Sequence, residues 1–206
     1  MKKKIKMMKW AKELFPICRS LTGKGNVKTL NFFKQINKDF KIKYFRSGVE
    51  YYDWKIPLEW NINDAYIQDE DGKRFCEFKK NNLHLVGYSK KIKKKISFKD
   101  LRKKIYFDKL NPNSIPYVTS YYKKDWGFCM QYSDFIKMNK KKKYQVYIDS
   151  NFSKGKMHYS ELVIKGKSKK EILIVSYICH PSMANNELSG ILIIGALSKI
   201  LKSSFL

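Results

Sequence analysis

Residues 171–190 read EILIVSYICHPSMANNELSG, and the fold depends on how this stretch is interpreted. Ile172–Ile178 is a short, mostly apolar run, which predicts one buried strand. It delivers His180 to a turn just ahead of a helix predicted from about Glu187. Leu188, Ile191, Leu192, Gly195 and Leu197 would form that helix's buried face, and Gly190 and Gly195 would let it pack closely on a sheet. A strand whose C-terminal end opens onto a helix N-terminus is where open α/β sheets place their chemistry. The stretch therefore predicts an α/β fold with a site at His180.

Working back toward the N-terminus, short strand-like pieces occur at Leu162–Ile164, Tyr144–Ile148, Trp126–Tyr132 and Tyr117–Tyr122, joined by polar, lysine-rich turns. Before Pro116 lie further pieces at Leu83–Tyr88, Phe75–Phe78, Ala65–Gln68, Tyr51–Ile56 and Ile42–Phe45. Asp71-Gly72 is a hairpin signal between two of them, and 98–105 reads as a helix. Residues 5–20 and the stretch after Gly25 show helical spacing. In the second helix Val27, Leu30, Phe33 and Ile36 or Phe40 share a face, and Pro16 must break the first. These patterns divide the chain into N-terminal helices (1–40), a small β-rich unit (41–114) and a longer α/β part (115–206).

Composition narrows the classes. The 206 residues are 43% hydrophobic and 15% aromatic, which suits a globular core, and the formal net charge is +26. Such a charge resembles a nucleic-acid footprint. However, Arg19, Arg46, Arg74 and Arg102 are the only arginines, and base and phosphate readers favour arginine's planar fork. Lysine runs at Lys2–Lys4, Lys93–Lys95 and Lys140–Lys143 read as solvated ends and loops. Cys18, Cys76, Cys129 and Cys179 form no CxxC pair and read as buried small hydrophobes in a reducing compartment. With neither a signal peptide nor a spanning-length apolar run, a cytoplasmic protein without a membrane partner is predicted.

Among residues able to carry chemistry, His180 leads, as metal ligand or general base. Asn185, Asn186 and Glu187 sit where a helix cap would form; Glu187 could also lend a carboxylate to a metal at His180. His84 and His158 alternate with apolar residues and read as half-buried sheet residues. Ser182 lacks a nucleophile elbow, which argues against a serine hydrolase.

Five stretches carry a resemblance: ELFPICRSLTG (13–23), YYDWKIPLEWNINDAYI (51–67), NLHLVGYS (82–89), IPYVTSYYKKDWGFC (115–129) and YICHPSMANNELSG (177–190). In order and spacing they resemble an aminopeptidase-like family of bacterial and archaeal proteins, often linked to polysaccharide biosynthesis and similar in fold to di-zinc peptidases. The resemblance implies a phosphorylase/hydrolase-like α/β domain made of 1–40 and about 115–206, interrupted by the β-rich insertion. It also implies a zinc cofactor, a peptide or peptide-like substrate, and removal of an N-terminal residue by zinc-activated water. His180 falls at the family's first zinc-binding histidine. Asn186 stands where active relatives place an aspartate bridging both metals, and Ser182 where better-characterised peptidases place a carboxylate that orients the imidazole. The remaining ligands belong to the family's second half, so the chain reads as a fragment, inactive alone. The competing expectations are a non-catalytic binding or scaffold protein on the same fold, serving glycan or peptide metabolism, and, less favoured, a lysine-rich nucleic-acid binder.

Overall fold

A computed structural model describes residues 6–204; the Lys2–Lys4 run and Ile5 lie outside them. The chain is mixed α/β and forms two compact units, one from residues up to Glu59 together with those from Lys154, the other Trp60–Ser153.

The first unit opens with helix α1, Met7–Leu14, whose Met7, Trp10, Ala11 and Leu14 fall on one face at helical spacing. It stops before Pro16, well short of 20, because proline cannot continue the ladder. Gly23, with φ +107°, reverses the chain into α2, Lys24–Ile36. Strand β1, Lys41–Arg46, is followed by a tight hairpin of β2, Glu50–Tyr51, and β3, Trp54–Lys55.

The second unit holds β4, Glu59–Asp69, and β5, Arg74–Phe75, joined by the predicted Asp71-Gly72 turn, where Gly72 has φ +84°. Next come β6, Ile92–Ser97, and α3, Phe98–Arg102, then β7, Ile105–Tyr106, β8, Phe128–Cys129, and α4, Tyr132–Phe135. Strand β9, Lys143–Ser153, pairs antiparallel with β6 from Lys143 opposite Ser97 to Ile148 opposite Ile92. The four-stranded order is β5-β4-β9-β6, and β7 and β8 pair in parallel. Tyr144, Val146 and Ile148 alternate inward along β9 and are fully buried, the period-2 signature of a one-sided sheet.

In the first unit, β10, Lys156–Glu161, pairs antiparallel with β1. An irregular segment then leads to a π-helical turn, Ala184–Leu188, and to α5, Ser189–Ser204. Leu14, Ile17, Phe33, Phe40, Leu188, Ile191 and Leu192 make this unit's core, binding α1 and α2 to α5.

Several expectations are corrected. Ile172–Ile178 has no regular secondary structure and is not a buried strand: no strand among the described residues pairs with it, and Ile172 and Leu173 are 91% and 87% exposed. Burial of a strand needs neighbours at its edges and layers on its faces, and no described element supplies them. Leu83–Tyr88 begins as a 3-10 turn, Asn82–His84, and Tyr88 takes φ +63°, outside the range of a strand. Tyr117–Tyr122 contributes a single bridge, Thr119 to Gly87, and Leu162–Ile164 forms no strand. Gly195 meets a helix rather than a sheet: a Cβ there would lie 2.5 Å from the Phe33 ring of α2.

Candidate functional site

Two turns of the first unit build the site. The chain between α1 and α2 carries Ile17–Gly23, and Arg19 within it is buried. Asn26, in the first turn of α2, braces this segment. Its Oδ1 accepts from Ser20 N at 3.1 Å, and its Nδ2 donates to Ser20 O at 2.6 Å and to Ile178 O at 3.0 Å. The last bond pins the incoming segment two residues before His180.

The π-helical turn supplies the other half. Its wider winding, marked by Leu188 N donating to Met183 O at 3.3 Å, turns Glu187 and Leu188 inward and leaves Asn185 and Asn186 exposed. Glu187 is completely buried. Its Oε1 accepts from Arg19 Nε at 2.6 Å, and Arg19 Nη1 donates to Leu14 O at 2.8 Å. Oε2 accepts a short hydrogen bond from His180 N and lies 3.0 Å from His180 Nδ1. Burial pushes the Glu187 carboxyl above its ordinary value, and Arg19 and His180 pull it back.

His180 is partly exposed, its ring edge-on to Tyr177 at 5.4 Å, with Cys179 Sγ 3.3 Å from Nδ1. The Cys179 thiol is pushed up to about 11 by burial first and by Glu187 second. Ligand atoms of Cys179, His180 and Glu187 lie within 4.8 Å of one another. As a metal cage the trio is poor. Both Glu187 oxygens already accept hydrogen bonds, and a catalytic zinc takes three protein ligands. That leaves His180 and the Cys179 thiol, two donors at most, so this cluster does not close a catalytic zinc site on its own.

The other sequence-predicted residues are placed as follows. Ser182 is buried and donates to Phe15 O at 3.0 Å, while the carboxylate beside the imidazole is Glu187. Asn186 accepts from Tyr177 Oη through both its carbonyl, at 2.9 Å, and its Oδ1, at 3.3 Å. Asn185 caps nothing with its side chain; the residue preceding the turn is Met183. His84 sits in the 3-10 turn with Nδ1 2.9 Å from Cys129 O, whereas His158 lies on β10. Cys76 and Cys129 are buried, but Cys18 and Cys179 only partly so. Arg19 and Asn26 were not singled out from the sequence. The available signal was an arginine set among apolar residues in a chain that otherwise uses lysine. An open cleft along α2, lined by Glu13, Lys24, Lys28, Phe32 and Glu59 among others, includes none of these groups. No helix among the described residues is long and apolar enough to cross a membrane.

Comparison with known proteins adds three findings. A family described as a domain of unknown function (DUF2172) matches residues 59–151, close to the bounds of the second unit. A Clostridium acetobutylicum protein named "Putative polysaccharide biosynthesis protein with aminopeptidase-like domain" is 40% identical over 189 residues. That alignment takes in 92% of this chain and 43% of the relative. A crystal structure described as a "putative peptidase" from Clostridium acetobutylicum matches with a TM-score of 0.92 at 38% identity, covering 96% of this chain and 46% of that one. The chain thus spans less than half the length of the relatives it matches.

Proposed function

The chain is a relative of the aminopeptidase-like family along nearly its whole length, and from that premise we propose that it forms one wall of a metallopeptidase site. In this reading His180 is one zinc ligand. The other ligands come from sequence that the relatives carry outside the matched region, and the full sheet is of the phosphorylase/hydrolase type. The substrate is a peptide or peptide-like molecule cleaved at its N-terminal residue. Bound zinc would supply an activated water and polarise the scissile carbonyl. This chain's own part is to hold one imidazole in place and to shape the adjoining surface. The observation that carries the reading is the fixation of His180 by a buried carboxylate at the end of the segment that the sequence singled out.

The test is a chimera in which this chain is continued by the non-matching part of its Clostridium acetobutylicum relative. Zinc content and hydrolysis of aminoacyl p-nitroanilides are then measured. Bound zinc that disappears in His180→Ala, together with the activity, is the expected result; a zinc-free chimera indifferent to His180→Ala would overturn the reading.

A non-catalytic binding or scaffold role on the same fold is favoured by one observation. Asn186 brings a neutral amide, already bonded to Tyr177, where a bridging ligand would need charge. Under that role Asn186→Asp would gain metal that the parent chimera lacks.

A further inference from the structure

Glu187 is the only carboxylate close enough to His180 to direct its ring among the described residues, and its two oxygens are divided between two partners. Oε1 accepts from Arg19 Nε, and Oε2 accepts from the backbone N–H of His180 and lies 3.0 Å from its Nδ1, closer than Cys179 Sγ at 3.3 Å. We infer that Glu187, clamped by Arg19, is a positioning residue that holds His180 as the Nδ1–H tautomer and presents Nε2 as the metal-binding nitrogen.

The geometry separates this role from that of a ligand. A dication on Oε1 would sit against the Arg19 guanidinium, and one on Oε2 would displace two bonds from His180. An imidazole that donates Nδ1–H to a carboxylate becomes a stronger base at Nε2, and its ring plane is fixed. Arg19 stops the carboxylate from rotating. The pair also explains how a chain with Ser182 two residues after the histidine still orients its ring: the carboxylate arrives from seven residues downstream through the π-helical turn. Because Arg19 lies in the 13–23 stretch and Glu187 and His180 in the 177–190 stretch, two separate sequence motifs serve one imidazole.

This inference deepens the reading of His180 as a ligand and rests on it. Its test, however, needs no metal. In ¹⁵N-labelled chain, long-range proton–nitrogen spectra report which ring nitrogen carries the proton. With only three histidines, His84, His158 and His180, assignment by single substitution is direct. His180 is expected to be protonated at Nδ1 and unprotonated at Nε2 in its neutral form. In Arg19→Met/Glu187→Leu, which removes both buried charges together, Nε2–H is expected to appear at His180. His84, whose Nδ1 faces the Cys129 carbonyl, is expected to stay unchanged. A wild-type His180 protonated at Nε2 overturns the inference without reference to any variant. A His180 tautomer that the double variant leaves unchanged overturns it as well. A chimera that binds no zinc would instead remove the peptidase reading and leave the tautomer result standing.

Discussion

Arg19 and Glu187 lie 168 positions apart in sequence and meet through a 2.6 Å bond between Nε and Oε1, with neither side chain open to solvent. Removing one charge strands the other in a low-dielectric interior, which typically costs about 3–5 kcal/mol. Arg19→Met and Glu187→Leu are each expected to lower the unfolding free energy of the first unit, read from urea titrations, by an amount in that range. Arg19 Nη2 is buried and finds no acceptor among the described residues, so the pair is not fully satisfied. The double substitution is therefore expected to recover most of the loss. A double variant as unstable as the sum of the singles would show that the two residues do not act as a pair.

Two glycines set how closely the elements approach. A Cβ on Gly25 would land on the carbonyl oxygen of Cys18, a backbone atom with little freedom to yield. Gly25→Ala is expected to cost about 3 kcal/mol or more. At Gly195 the obstacle is a side chain, the buried ring of Phe33, and Gly195→Ala should cost about 1–3 kcal/mol. Urea titrations followed by circular dichroism would rank them, and equal effects would contradict the distinction between backbone and side-chain obstruction.

The local elements were legible in the sequence because they obey local rules. The helical spacing of Ile5, Met8, Ala11 and Leu14 predicts the first helix, although Met8 is exposed and Met7 and Trp10 pack on the core instead; Leu30 and Phe33 predict α2, and Asp71-Gly72 predicts the β4–β5 turn. What the pattern could not show is where burial comes from. Ile172–Ile178 has the composition of a buried strand, yet composition supplies no neighbouring strand. Tyr88 breaks a convincing apolar run because its backbone adopts a left-handed conformation. At the site, extending the α5 periodicity backward puts Asn185 and Glu187 in a cap and a first turn. The π-helical winding carries one extra residue per turn and rotates Glu187 inward beneath His180. The Arg19–Glu187 contact joins distant segments, and a single sequence carries no signal for it.

In the second unit several carboxylates titrate below their ordinary range. Asp125 is lowered from 3.8 chiefly by the hydrogen bonds from Lys104 Nζ, at 2.6 and 2.8 Å. Asp149 is lowered by Asn63 first and Lys91 second, and Glu70 by Lys95 and then by the Lys143 backbone. A carboxylate held low in the folded state binds its proton more weakly there than in the unfolded chain. Its stabilising effect is therefore present above the ordinary value and fades as pH falls below it. The urea midpoint of this unit should be flat near neutrality and drop below about pH 4. Lys104→Ala should shrink the drop while costing at most about 1 kcal/mol at neutral pH, since the pair is partly solvated. A midpoint that rises on acidification would contradict the assignment.

The irregular segment ahead of His180 places Ile172, Leu173 and Val175 in water at 91%, 87% and 73% exposure, with their backbone groups unpaired by any described strand. Contiguous apolar side chains beside unpaired backbone groups invite pairing with another chain and are unfavourable in solvent. This chain is therefore expected to self-associate as its concentration rises and to bind hydrophobic dyes while folded. Leu173→Lys combined with Val175→Lys should suppress both effects. The same change should leave the unfolding free energy of the first unit within about 0.5 kcal/mol, because side chains this exposed contribute little to its core. Sedimentation velocity over a concentration series reads the association, and dye fluorescence reads the apolar surface. A wild-type chain that stays monomeric and dark throughout, and is unaffected by the two lysines, would mean that this segment is covered in solution.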